Sequence, residues 1–257
     1  MTKKHLLFGQ ALLGASLISS ALPTQAGWLI VDTGGATTYV QDGRLKNHEA
    51  GGGVIMDAKA GQLIMVDAER RQYAAGTVDQ FCQAATAMID MAMQNVPPEY
   101  RQMMRQMMGS QAKTAAPPTV KVIKDSTTTM LGQATTKYKI MVNNELAEEI
   151  WLADAAALQK EWQPLAGMMQ DFEACTKKMG AMTGAVDLGP ETNPEYQALM
   201  KKGWPLKSVS HAHGQTRTDS EVVRLEQKKI AAAEFQPPAG YKAISFAEFL
   251  GGQDMAE

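Results

Sequence analysis

Between Trp28 and Ala74 apolar and polar residues alternate in short runs broken by turn residues, which is the period-two signature of strands. The runs are Trp28 to Asp32, Ala36 to Gln41, Arg44 to Glu49, Val54 to Asp57, Leu63 to Asp67 and Arg70 to Ala74. Asp42-Gly43 can supply the positive φ values of a two-residue hairpin, and Gly51-Gly52-Gly53 and Ala60-Gly61 mark further turns. The segment reads as a β meander.

At Thr77 the period becomes helical. Thr77 and Gln80 have the spacing of a capping box, and Phe81, Cys82, Ala85, Met88, Ile89 and Ala92 then fall on one face. Val96-Pro97-Pro98 ends that helix and opens a second, in which Tyr100, Met103, Met104, Met107 and Met108 share a face up to Gly109. After a small-residue linker, strands resume at Val120 to Lys124, Thr135 to Val142 and Leu146 to Leu152, with Asn143-Asn144 as a turn. Asp154 caps a helix that Pro164 interrupts, and Leu165, Met168, Met169, Phe172, Cys175 and Met179 then form another apolar stripe. Asn193-Pro194 opens a short helix. Strands follow at Leu206 to His213 and Thr218 to Gln227, and Ser245 with Glu248 starts a terminal helix. The sum is an α+β chain: an antiparallel sheet of about nine or ten strands with Met-rich helices inserted between groups of strands.

Composition narrows the partners. The 257 residues are 45% hydrophobic and 20% charged, as expected of a folding chain, and a net charge of −2 offers no positive field for gathering phosphates. Nucleic acid is therefore not an expected partner. Lys3 and Lys4 precede an apolar stretch from Leu6 to Leu22, and Thr24-Gln25-Ala26 gives a peptidase small residues at its two reading positions. Residues 1–26 read as a secretory signal peptide cleaved after Ala26, leaving 27–257 as a single periplasmic domain. Export alters how the cysteines read. In an oxidising compartment Cys82 and Cys175, each on an apolar helical stripe, favour a disulfide that pins two helices; the alternative is two buried thiols.

The candidate chemistry is mostly sulfur. Seven methionines lie between Met88 and Met108 and four between Met168 and Met182. Thioethers are flexible and polarisable, so a wall of Phe81, Met88, Met103, Met107, Met168 and Phe172 could re-pack around apolar ligands of different shape. The plain reading is ordinary core methionines on amphipathic helices, and a third reading is Cu(I), which thioethers favour. His211-Ala212-His213 places two imidazoles on one side of a strand without a third ligand at an obvious spacing. Asp32-Thr33-Gly34 imitates an aspartic-protease turn but has no second copy to share a proton. Tyr73, Trp151, Trp162 and Trp204 are candidates for a pocket lining or for core and rim. With no Ser-His-Asp set, phosphate loop or Cys-x-x-Cys pair, no catalytic residue, metal site or cofactor is assigned, and the expectation is a protein that is not an enzyme.

Several pieces carry a family likeness: Tyr39-Val40-Gln41-Asp42-Gly43-Arg44, Val54-Ile55-Met56-Asp57, Leu63-Ile64-Met65-Val66-Asp67, Tyr73, Gly132 with Lys137-Tyr138, Glu149-Ile150-Trp151-Leu152, Gly203-Trp204-Pro205-Leu206, and Phe235 before Pro238-Ala239-Gly240-Tyr241. In that order they resemble the LolA-like periplasmic lipoprotein carriers, and more closely their uncharacterised exported relatives. The resemblance implies a strongly curved antiparallel half-barrel whose concave face, closed by helices, holds an acyl chain, a lipid or a lipid-modified protein without catalysis. The Met-dense helices and the cysteine pair depart from the lipoprotein carrier's own pattern. An envelope sensor with a membrane-protein partner uses the same fold equally well, and a Met-rich Cu(I)-binding protein is the other alternative.

Overall fold

The computed structural model describes residues 26–97, 100, 118–154, 156–183, 190, 193–212 and 214–252. Among them twelve strands form one sheet: β1 Gly27–Asp32, β2 Thr37–Gln41, β3 Arg44–Glu49, β4 Gly52–Asp57, β5 Gln62–Asp67, β6 Gln72–Gly76, β7 Val120–Met130, β8 Gln133–Val142, β9 Glu145–Ala153, β10 Trp204–Ala212, β11 Gln215–Lys228 and β12 Lys242–Ile244. The order is β12-β6-β5-β4-β3-β2-β1-β11-β10-β9-β8-β7, so among the described residues β12 and β7 are the outermost strands and the sheet is not closed into a barrel. Five helices fall within the described residues: α1 Val78–Asn95, α2 Ala156–Trp162, α3 Ala166–Thr183, α4 Pro194–Met200 and α5 Phe246–Gly251. The expected α+β class holds. The expected strand count of nine or ten and the purely antiparallel pairing do not, because β12, a three-residue strand too short to show a period, pairs parallel to β6.

Local chemistry sets the ends of these elements. The Thr77 hydroxyl accepts from the Gln80 amide at 3.1 Å while the Thr77 amide donates to Gln80 Oε1 at 2.9 Å, closing the box that starts α1. Ser245 and Glu248 repeat the arrangement at α5. Pro164 falls in a 3₁₀ turn, Gln163–Leu165, that separates α2 from α3. The hairpin turns use residues that tolerate positive φ: Asp42 and Gly43 at 54° and 73°, and Asn143 and Asn144 at 52° and 67°.

Strand alternation gives the first half of the sheet two buried faces. Val40, Leu45, Met56, Leu63 and Ala74 join Val78 and Phe81 of α1, Cys175 of α3, and Phe246 and Phe249 of α5 in one core. Their neighbours Ile55 and Ile64 point the other way and pack with Tyr39, Val66, Tyr73, Ile230 and Phe235. The covering residues here come from the segment between β11 and β12, which includes a second 3₁₀ turn, Ala232–Phe235. Trp28, Ile30, Leu158, Leu206 and Val222 build the core over the central strands, and α4 sets Leu199 against Val120, Ile140, Ile150 and Leu152 at the far end. By strand register these two cores lie on the same face as α1, α3 and α5.

Gln41 ties the cover of the second face to the sheet. Its side-chain Oε1 accepts from the buried Ile230 amide at 2.7 Å. Gln41→Ala strands that amide, and a buried unpaired donor costs about 1–3 kcal/mol. The expected readout is a corresponding fall in urea stability together with faster amide exchange at Ile230.

Candidate functional site

The apolar interface between α1, α3 and the sheet is built around a bridge. Cys82 and Cys175 form a disulfide with their Cα atoms 5.6 Å apart. Beside it the Phe81 ring stacks on Phe172 and meets Phe246 edge-on, both at 5.6 Å between centroids. Of the six residues expected to form a soft wall, Phe81 is buried in the core, whereas Met168 and Phe172 are half-buried and packed against it. Met88 is half-buried, its Cε 3.9 Å from where a Cβ on Gly251 would stand. Met103 and Met107 lie outside the described residues. The interface continues outward into exposed sulfur, with Met91 57% and Met169 40% accessible. Apolar surface on α1 and α3 therefore extends beyond what the sheet covers.

Next to this interface lies an aromatic group. Trp162, at the end of α2, stacks on Trp204 of β10 with ring centroids 4.7 Å apart and planes at 25°. Both pack on the central core, to which Trp28 of β1 contributes a buried side chain. Trp162 also packs against the core of α1 and α3, so it joins the two regions. The indole Nε1 atoms of Trp28, Trp162 and Trp204 are buried, and no acceptor among the described residues reaches any of them.

The opposite face of the second half of the sheet carries a charge ladder. Lys137 bridges Glu149 at 2.6 Å and Asp125 at 3.8 Å, Lys139 bridges Asp125 at 3.0 Å, and Lys207 bridges Glu221 at 3.0 Å. The Trp151 ring lies between Lys137 and Lys207, 4.7 and 5.8 Å from their ammonium groups. His211 contacts Glu149 at 3.2 Å through Nε2 and Thr216 at 3.2 Å through Nδ1. His211 is thus held in this ladder, and His213 lies outside the described residues. Among the described residues no group of three or more His, Cys, Asp and Glu is placed to hold a metal ion. Asp32, the residue that imitates a protease turn, accepts from the Ala36 amide at 2.9 Å and shapes the β1–β2 connection.

Burial pushes the Glu149 carboxyl up, but hydrogen bonds from Lys137 and His211 and their charges outweigh it and leave the group below its ordinary value. A carboxylate lowered on folding adds stability above its unfolded value, and that contribution is lost as pH falls through the folded one. The stability gap between the wild type and Glu149→Gln is therefore expected to be full at neutral pH and to shrink below about pH 4.5. Urea melts across that range measure it.

A small cleft of about 130 Å³ opens on the same face of the first half, between β3, β4, β5 and the segment carrying Pro238 and Tyr241. Its floor includes Gly52 and Gly53, where a Cβ would meet the Val66 and Asn47 carbonyl oxygens at 2.1 and 2.2 Å. His48 stands at its edge, stacked on Tyr39 at 5.9 Å. Burial, then the Lys46 charge, lower its pKa against the opposing pull of Glu234.

Sequence reasoning located the helices of α1 and α3 and the cysteine pair but missed the grouping of Trp28 with Trp162 and Trp204, and missed the charge ladder; the expected Met103 to Met108 stripe lies outside the described residues. The one available signal was the alternation of Lys137, Lys139, Glu149, Trp151 and Lys207 along three strands, which needs the register to be read as a face.

Residues 168–241, which run from α3 to the segment before β12, match the model of a domain of unknown function, DUF4412. A crystal structure of an uncharacterized conserved protein from Thermus thermophilus aligns with 86% of this chain and 91% of its own, at 7% identity and a TM-score of 0.37. No curated protein matches the chain.

Proposed function

We propose that the chain is an exported, non-catalytic binding protein that carries an apolar moiety, an acyl chain or a lipid-modified partner, against the helix-bearing face of a curved half-barrel sheet. The observation that supports this most is the half-buried surface of Met88, Met168 and Phe172, with Met91 and Met169 exposed on the same two helices. A core that needed only to be filled would bury these side chains, since each gains by leaving water. Methionine adapts its shape to a guest, and each methylene of an acyl chain adds about 0.8 kcal/mol on burial. The disulfide keeps α1 and α3 together while a guest enters or leaves. Residues 1–26 serve as the export signal in this reading.

The test is native mass spectrometry and lipid extraction of the full chain purified from its own envelope. One acyl chain per protein is expected, and Met168→Asp should reduce its retention about tenfold, because the carboxylate must stay hydrated beside the guest. Wild-type protein that is repeatedly empty, and stays so after incubation with methyl decanoate, overturns the reading.

A further inference from the structure

Resting on that carrier reading, we infer that Trp28, Trp162 and Trp204 form a subsite for the ester or amide carbonyl of the carried acyl group, with indole Nε1–H groups as its donors. An indole N–H can only donate, so it can be satisfied by an acceptor and by nothing else. Buried donors are paired in the great majority of cases, and a group without a partner asks for a reason. Here three such donors sit in one core and have no acceptor among the described residues. The other buried side chains of that core, Ile30, Ala153, Leu158, Leu206 and Val222, are aliphatic and carry no acceptor.

The position fits the chemistry of an acyl ester. Trp162 packs at once on this core and on the core of α1 and α3, so a hydrocarbon tail along the methionine surface would bring its polar end to the tryptophans. A carbonyl oxygen has two lone pairs and can accept from two donors. An ester or amide is neutral, which suits a cluster of apolar side chains beside the buried Glu161, whose carboxylate accepts from the Asp42 amide at 2.8 Å. A free carboxylate would have to be desolvated without a counter-ion and is disfavoured there.

The fourth tryptophan provides an internal reference, because Trp151 lies on the opposite face among lysines. The experiment titrates the full chain with methyl decanoate and, separately, with undecane, which offers the same apolar bulk without an acceptor. Indole proton and nitrogen resonances are followed, and displacement of a fluorescent apolar dye gives the affinities. The expected result is a downfield shift of the Trp28, Trp162 and Trp204 indole protons with the ester alone, Trp151 unchanged, and about tenfold tighter retention of the ester. Trp28→Phe, Trp162→Phe and Trp204→Phe keep an aromatic ring and delete the donor. Each should lower the ester's preference over undecane.

Equal retention of both probes with unshifted indoles overturns the subsite and leaves the carrier reading standing. A preference for the ester that survives all three substitutions does the same, as does a finding that the indoles are bonded to water only and ignore the ester. Failure of the wild type to retain either probe overturns the carrier reading itself. Because the resonance test uses the wild type, poor folding of a Phe variant does not shield the inference.

Discussion

Replacing Cys82 and Cys175 together by alanine should lower the stability of the protein by about 2–5 kcal/mol, which is roughly 5–15 °C in melting temperature for a chain of this size. The bridge joins residues 93 apart in sequence, so it removes a long loop's worth of freedom from the unfolded chain. It also fixes two helices that otherwise meet through the Phe81–Phe172 stack and the apolar core around it. The loss should have a spatial signature: amides of α1 and α3 should exchange faster than those of β8 and β9, which pack against α4 and not against the bridged pair. Calorimetry of the wild type with and without reductant, beside the double variant, measures the first part. Identical melting in all three would mean that the bridge contributes nothing to folding.

Phe81→Ala is expected to cost about 3–5 kcal/mol, as large aromatic deletions in a core do. Its ring contacts both Phe172 of α3 and Phe246 of α5, so its removal deletes a contact from α1 to each of two helices and opens a cavity in the core they share with Leu63 and Ala74. Met168→Ala deletes a side chain of the same interface that is already half in water and should cost less than about 2 kcal/mol. In the carrier reading the two variants diverge in the opposite sense for ligand: Met168→Ala weakens retention while leaving the fold intact. Denaturant titrations and dye displacement on the same preparations separate the two effects.

Much of the local architecture was legible in the chain because its signals are short-range. Thr77 with Gln80, Ser245 with Glu248, Asn193-Pro194, Asp42-Gly43 and the interruption at Pro164 each act within a few residues, and each marks an element end or a turn in the structure. Strand lengths were less legible. β7 continues from Lys124 through Asp125 to Met130 because a bulge between Lys124 and Ser126 lets the polar Ser-Thr run remain paired with β8. Likewise β10 begins at Trp204 and accommodates Pro205 at an irregularity opposite β9, where a proline would ordinarily argue against a strand. Sheet order was not legible at all. The pairing of β1 with β11 is settled by burial across the sheet, which no window along the chain contains.

That pairing has a consequence for how the molecule comes into being. Gly27 lies opposite Lys228, and β12 returns past the Ile230–Phe235 cover to add itself beside β6. The strands made first therefore receive their lateral neighbour, and the roof over their second face, from the stretch made last. Such distant closure is slow to nucleate. A fragment that stops before residue 215 would lack the strand beside β1 and the cover over Ile55 and Ile64, so it should stay protease-sensitive where the full chain resists.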